Sequence, residues 1–343
     1  MPPPKAKAKK KTKPFKINRT PQEPIPLIPE QLQQQLLNVF QAAFRERLES
    51  DIQPLLQEVK GHLFNRDFAA AFGRNDYLEA YAARWSPSRS LGYVEILATL
   101  EDLISRYDTL TEQDQQYKIV CIGGGAGAEI VALGGLVKYI LSMDDDQQSR
   151  QRKFNVVAID IADWAAVVEK LRQNIVMAPT LSKYASAAAK ATNAPLIPLE
   201  NLSVVFHQKD VLNIDHTGLN DMLRGSKLVT IMFTLNELYS TSVPHTQTFL
   251  LNLTASVEKD TLLLVVDSPG SYSTVTLNGT EKRYPMQWLL DHTLLKEDEK
   301  GEAIIWEKVL EDESRWWRQG TGLKYPIELE NMRFQLHLYR RLA

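Results

Sequence analysis

Residues 119–129 read IVCIGGGAGAE. A short apolar, β-branched run ends in four glycines within five positions. An apolar run without polar alternation is the pattern of a strand buried on both faces. Glycine gives up side-chain packing for positive φ and for close approach to the backbone. Together they confine the chain to folds in which the end of a central strand is also a binding edge.

The rest of the second half repeats the theme. YKIVCI (117–122), FNVVAID (154–160), LSVVFHQ (202–208), KLVTIMFTL (227–235), DTLLLVVDS (260–268) and MRFQLHLYRRL (332–342) read as strands. AEIVALGGLVKYIL and WAAVVEKLRQNIV, between the first three, read as helices. Strands alternating with helices predict a doubly wound, mostly parallel sheet, with the last strand an antiparallel addition at its edge. The polar 143–153 and the Ala/Ser/Thr/Pro-rich 178–201 read as inserted loops.

Upstream, residues 30–110 carry helical spacing, as in PEQLQQQLLNVFQAAFRERL, LLQEVKGHLF and DYLEAYAARW. Ser86-Pro87 reads as the N-cap and first residue of a further helix. Residues 1–19 hold seven lysines, one arginine and no acid. Setting aside that +8, the net charge of −2 becomes −10 over residues 20–343. A basic, proline-rich, hydrophobe-poor segment buries too little surface to fold, so residues 1–29 read as a disordered tail and linker. Such a tail suits a nuclear address or a grip on nucleic-acid phosphates. The expected organisation is therefore tail 1–29, helical region 30–110 and a catalytic domain over 111–343.

One cysteine, Cys121, excludes an internal disulfide and a thiolate zinc cluster. Six histidines without ligand spacing give no metal site, and no apolar run is long enough to span a membrane.

Gly123, Gly125 and Gly127 form G-x-G-x-G, and with Ala128 the same residues satisfy the dinucleotide pattern G-x-G-x-x-A. Asp160 closes the second strand, where a carboxylate accepts hydrogen bonds from ribose hydroxyls. Its distance from Gly123 exceeds the usual dinucleotide interval of about 20 residues. Asp210 follows the third strand in HQKDVL, where an acid receives an adenine amine. The trio resembles class I methyltransferases, which bind S-adenosylmethionine. At Cys121 the chain departs from the acid often found there, and nothing in the sequence marks Glu129 as its replacement.

FTLNELYS (233–240) follows the fourth strand, beside the transferred methyl group in that class. Asn236 is placed to hold the acceptor or the cofactor's amino-acid end, and Glu237 or Tyr239 to take a proton. The competing role for Thr234 or Asn236 is a helix N-cap. Two further clusters interleave cations with aromatic rings: Tyr81, Arg84, Trp85 and Arg89, then Arg315, Trp316, Trp317 and Arg318. Arginines bind phosphates and rings stack on unpaired bases, so both are candidate RNA contacts.

RWSPSRSLGYVEILATLEDL, CIGGGAGAEIVALGGL, FTLNELYS, ESRWWR and YPIELENMRFQLHLYRRL together resemble the fungal large-subunit rRNA uridine-N3 methyltransferases. The resemblance spans roughly 30–343. It implies a Rossmann-like, seven-stranded class I methyltransferase fold with an N-terminal helical extension. It also implies S-adenosylmethionine as donor and a uridine N3 of 25S rRNA as acceptor. With it come a ribosomal RNA or pre-ribosomal partner, a monomeric chain, and a nuclear, nucleolar and cytoplasmic location. The alternatives are an NAD(P)-dependent oxidoreductase, through G-x-G-x-x-A, and a catalytically silent RNA-binding assembly factor.

Overall fold

A computed structural model describes residues 15–16, 26–106, 116–143, 153–270, 272–277, 280–295 and 305–342, apart from positions 182–183, 185, 188–189 and 191–192. Most of the basic tail and of the 143–153 loop lies outside the described residues.

Five parallel strands form the centre: β2 (Gln116–Ile122), β3 (Lys153–Asp160), β4 (Leu202–Gln208), β5 (Leu228–Met232) and β6 (Leu262–Asp267). The sheet order is β1-β9-β10-β6-β5-β2-β3-β4, where β9 is Trp306–Trp317, β10 is Met332–Arg341 and β1 is the two-residue Phe15–Lys16. Seven strands of ordinary length therefore make the sheet, and β10 alone among them runs antiparallel. A separate hairpin, β7 (Tyr272–Leu277) with β8 (Thr280–Pro285), packs outside it.

Three sequence expectations change here. The last strand is not at an edge, because β9 pairs along its outer side. β9 went unread because Glu307, Lys308, Glu311, Asp312 and Glu313 interrupt its apolar residues, which therefore do not form a run. Part of the tail is also tied down: Phe15 and Lys16 pair with Leu310 and Glu311.

The N-terminal region supplies α1 (Glu30–Ala43), α2 (Arg45–Glu49), α3 (Gln53–Phe64), α4 (Phe68–Ala71) and a 32-residue α5 (Asn75–Arg106). Leu36, Phe40, Val94 and Leu97 share one core with Ile119, Cys121 and Val156 of the sheet. The same core holds Ile130 and Leu133 of α6 (Ala128–Met143) and Leu171 and Ile175 of α7 (Ala165–Val176). Residues 30–106 thus cover one face of the sheet.

Side chains alternate across each strand, so Val120, Ile122, Val229 and Ile231 point to the opposite face. There they meet α8 (His216–Leu223), α9 (Leu235–Thr241), α10 (Val243–Ser256) and α11 (Met286–Leu294). Each such buried side chain stabilises the fold by roughly 1.5–3 kcal/mol relative to exposure.

α5 runs through Pro87, so Ser86-Pro87 does not begin a helix. Proline removes the hydrogen bond to the carbonyl four residues back, that of Ala83. The Tyr325 hydroxyl donates to that carbonyl at 2.8 Å instead. Ser86 Oγ donates to Ala126 O at 2.7 Å, joining α5 to the glycine turn.

Candidate functional site

β3 and β4 lie to one side of β2, with β5 and β6 on the other, so the strand order reverses between β2 and β5. Ligands of open α/β sheets bind at the carboxyl ends of the strands at such a point. The glycine turn sits there. Gly123 (φ 76°) and Gly127 (φ 79°) flank a 3₁₀ turn over Gly124–Ala126, both in the left-handed region that favours glycine. A Cβ on Gly123 would overlap the Thr234 side chain.

A cavity of about 520 Å³ opens beside this turn. Gly123, Asp160, Asp210, Asn236, Glu237, Tyr81 and Arg89 all line it, so the cofactor and acceptor candidates from distant segments share one space. Gly125 acts from behind the wall: its N–H donates to Asp160 Oδ2 at 3.1 Å, and its bare Cα makes room for the Trp164 ring. Asp160 Oδ1 accepts from Ala162 N at 3.2 Å. Burial raises the Asp160 pKa, and the backbone donors of Ala162 and Gly125 oppose that rise. Asp210 is anchored by Leu212 N at 2.9 Å and Asn213 Nδ2 at 2.6 Å.

Neither Thr234 nor Asn236 caps α9 with its side chain. Thr234 Oγ1 donates to Met232 O at 3.2 Å, and the Asn236 N–H donates to Asp267 Oδ2 at 3.0 Å. Asp267, at the end of β6, caps α9 from another strand. It is buried, lines the cavity, and burial pushes its pKa up to about 6. The strand-end acid of LLLVVDS is the signal that would have found it, by the same reasoning as Asp160. Glu237 Oε2 is buried on the cavity wall with no hydrogen-bond partner among the described residues. Phe233, just before α9, holds φ 54°, a strained conformation for a bulky residue and one that gathers at functional sites.

Several candidates are corrected by position. Tyr239 is buried in the core on the far face of the sheet, and burial raises its phenol further above neutrality. It takes no proton from a ligand in this cavity. Arg84 is buried and ion-paired with Glu330, pinning α5 to the segment before β10. Trp85 packs on Tyr81, ring centroids 4.8 Å apart, and Tyr81 meets Trp164 at 5.8 Å. The 81–89 cluster therefore turns inward, because a continuous helix stacks residues four apart on one face. Arg89 lies 3.8 Å over the Phe233 ring, on the wall of the cavity rather than on an outer RNA surface.

The second cluster divides by strand alternation. Trp317 is buried against Gly92 and Met332, whereas Trp316 is half exposed, with Arg318 5.3 Å and Arg333 5.9 Å from its ring. Arg315 stands 5.9 Å from the Phe334 ring. Gln335 pairs with Asp267, and Met332 with Trp317, so this end of β9 lies on the same edge of the sheet as the cavity.

Glu129, which nothing in the sequence marks, lies at the turn. It is 4% exposed, accepts from Thr230 Oγ1 and stands beside Cys121 under the glycine turn, where a Cβ on Gly124 would come 3.1 Å from Glu129 Oε2. Burial pushes its pKa up to about 7. The glycine cradle, the strand-end acid at the cavity and the unpartnered polar atoms facing it fit a nucleoside with a charged tail.

Residues 40–340 match the family model described as "Putative SAM-dependent methyltransferase". The 25S rRNA (uridine(2843)-N(3))-methyltransferase of Saccharomyces cerevisiae is 34% identical over 325 residues, covering 89% of this chain and 85% of that one. Among solved structures, a SAM-dependent methyltransferase from Methanosarcina mazei aligns at TM-score 0.37 and 10% identity, over 70% of this chain and 97% of that one. One from Clostridium acetobutylicum aligns at 0.35 and 9%, over 81% and 99%. The chain belongs to the family of SAM-dependent methyltransferases that includes this yeast enzyme.

Proposed function

We propose that the protein methylates N3 of a uridine in large-subunit rRNA. The observation that carries the acceptor is the 34% identity, over most of both chains, to the yeast uridine-N3 enzyme. When bound, S-adenosylmethionine supplies an electrophilic methyl group. Gly123, Asp160 and Asp210 line the part of the cavity assigned to its nucleoside, with Gly125 holding Asp160 in place.

N3 of uracil carries a proton well above neutrality and lies on the pairing edge. The uridine must be unpaired or flipped out to reach the cavity. Glu237 Oε2 is a buried acceptor without a donor among the described residues and is assigned as the base that takes this proton. Asn236, fixed through Asp267, orients the base or the cofactor. Cys121 lies under the turn with its thiol pKa raised by burial, which disfavours a covalent route through sulfur. Trp316, Arg318 and Arg333, on the cavity edge of the sheet, are the outer surface assigned to RNA. The monomeric state and the nucleolar and cytoplasmic locations belong to the same proposal; the basic tail supports the nucleolar one.

Mass mapping of rRNA from cells lacking the protein tests this reading. Loss of one 3-methyluridine from large-subunit rRNA is expected. An unchanged modification map would leave the protein an assembly factor that keeps only the fold.

A further inference from the structure

The segment that joins α3 to α4 borders the main cavity, where Leu63, Phe64, Arg66 and Phe68 all line it. Phe64 is 87% exposed, the most open large apolar side chain among the described residues, so it marks the mouth. From there the rings lead inward. Phe68 stacks on Phe72 at 6.4 Å, and Phe72 meets Trp164, behind the glycine turn, at 5.3 Å.

The backbone holds this turn in one shape. Asp67 N–H donates to His62 O at 2.9 Å and Arg66 N–H to Leu63 O at 3.0 Å, the two bonds that close a helix on a left-handed residue. Glycine is usual at that position, yet Arg66 occupies it, at φ 55°. Left-handed backbone disfavours any residue with a Cβ, so the arginine stands there against local preference. Such outliers gather where a side chain has work to do. The Arg66 side chain is exposed and forms no ion pair among the described residues, and neighbouring Asp67 gives its carboxylate to the N–H of Ala70 at 3.0 Å.

An exposed ring and an unpaired cation two residues apart offer a face for a base and a charge for its phosphate. Lys209, just after β4, adds a second exposed cation to the same cavity. Farther in, buried Asp267 and the buried Glu237 Oε2 repel a phosphate, which therefore stays at the mouth. S-adenosylmethionine has no phosphate and carries a cationic sulfonium, so the position of Arg66 does not serve it. One open ring is also far less surface than a protein partner buries.

We infer that Phe64 and Arg66 hold the nucleotide next to the target uridine, Phe64 stacking on its base and Arg66 pairing with the phosphate beside it. This rests on the rRNA reading above. A uridine flipped into the cavity leaves its neighbour without a stacking partner, and Phe64 supplies one. The helical region then reads the RNA strand as well as covering one face of the sheet.

The test is steady-state methyl transfer to large-subunit rRNA from cells lacking the enzyme. Phe64→Ala should raise KM for that rRNA at least about fivefold, the worth of one stacked base, with little change in kcat. Arg66→Gly should raise KM and flatten the slope of log KM against log salt by about 0.7, the share of one single-stranded phosphate. Phe64→Ala should leave that slope alone, and Arg66→Lys should restore most of it. Glycine suits the left-handed turn, so Arg66→Gly should melt no lower than the unaltered protein. Calorimetric affinity for S-adenosylhomocysteine should be unchanged in all three variants.

Unchanged KM and slope overturn the inference. So does a loss of S-adenosylhomocysteine affinity that matches the loss of RNA affinity, which would make the segment a cover for the cofactor. No methyl transfer by the unaltered protein would bring down the acceptor reading and this inference together. Transfer by the unaltered protein, with every variant equal to it, brings down this inference alone.

Discussion

Substituting Gly125 by alanine probes the turn with the least ambiguity. Gly125 does not have the positive φ of Gly123 and Gly127, so the added methyl acts through space alone. That methyl would overlap Trp164 Cδ1, reach 2.5 Å from Trp164 Cγ and stand 2.8 Å from Asp160 Oδ2. Trp164 is 2% exposed, and overpacking a filled core costs about 1–3 kcal/mol. Displacing Asp160 adds roughly 1 kcal/mol for its hydrogen bond from Gly125 N. At about 2 °C per kcal/mol for a chain of this size, melting should fall by about 4–8 °C. With Asp160 proposed as the acceptor for the ribose hydroxyls, affinity for S-adenosylhomocysteine should fall at least about tenfold. Differential scanning calorimetry and isothermal titration read the two effects. Melting within 1 °C of the unaltered protein (about the scatter of such scans), with unchanged affinity, would refute the packing described here.

Other expectations follow from single contacts. Glu237→Gln should lower turnover about 10²- to 10⁴-fold while leaving S-adenosylhomocysteine affinity unchanged, measured by labelled methyl transfer and calorimetry. Arg84→Met should lower melting through loss of its pair with Glu330 but leave RNA affinity alone, whereas Trp316→Ala should weaken RNA binding by about 1–3 kcal/mol and leave melting alone. The folded pKa of Glu129 is raised from 4.5 to about 7, so its contribution is fully present below about 4.5 and lost as pH rises through 7. Without ligand, Glu129→Gln should therefore match the unaltered protein at low pH and exceed it by up to about 3 kcal/mol at pH 8 in denaturant titrations.

The parallel centre of the fold was legible because its strands are uniformly apolar and its crossovers keep helical period. Trp306–Trp317 was not: an outer strand wets one side, and its tandem tryptophans read as a nucleic-acid motif until alternation separated Trp316 from Trp317. Ser86-Pro87 carried an authentic helix-start signal, overridden by a tyrosine hydroxyl far along the chain that takes the carbonyl proline leaves free. At the site, the glycines and Asp160 announce themselves at the end of one strand each. Asp267, Glu129 and Arg89 join the site only through tertiary packing, which no local pattern encodes. Tyr239 shows the converse: two residues from Glu237 on a helix, it faces the opposite way.

The most direct test is chemical. Purified protein, labelled S-adenosylmethionine and large-subunit rRNA from cells lacking the enzyme should yield a digest in which the label migrates as 3-methyluridine. Label in 5-methyluridine, in a ribose-methylated nucleoside or in none would contradict the account.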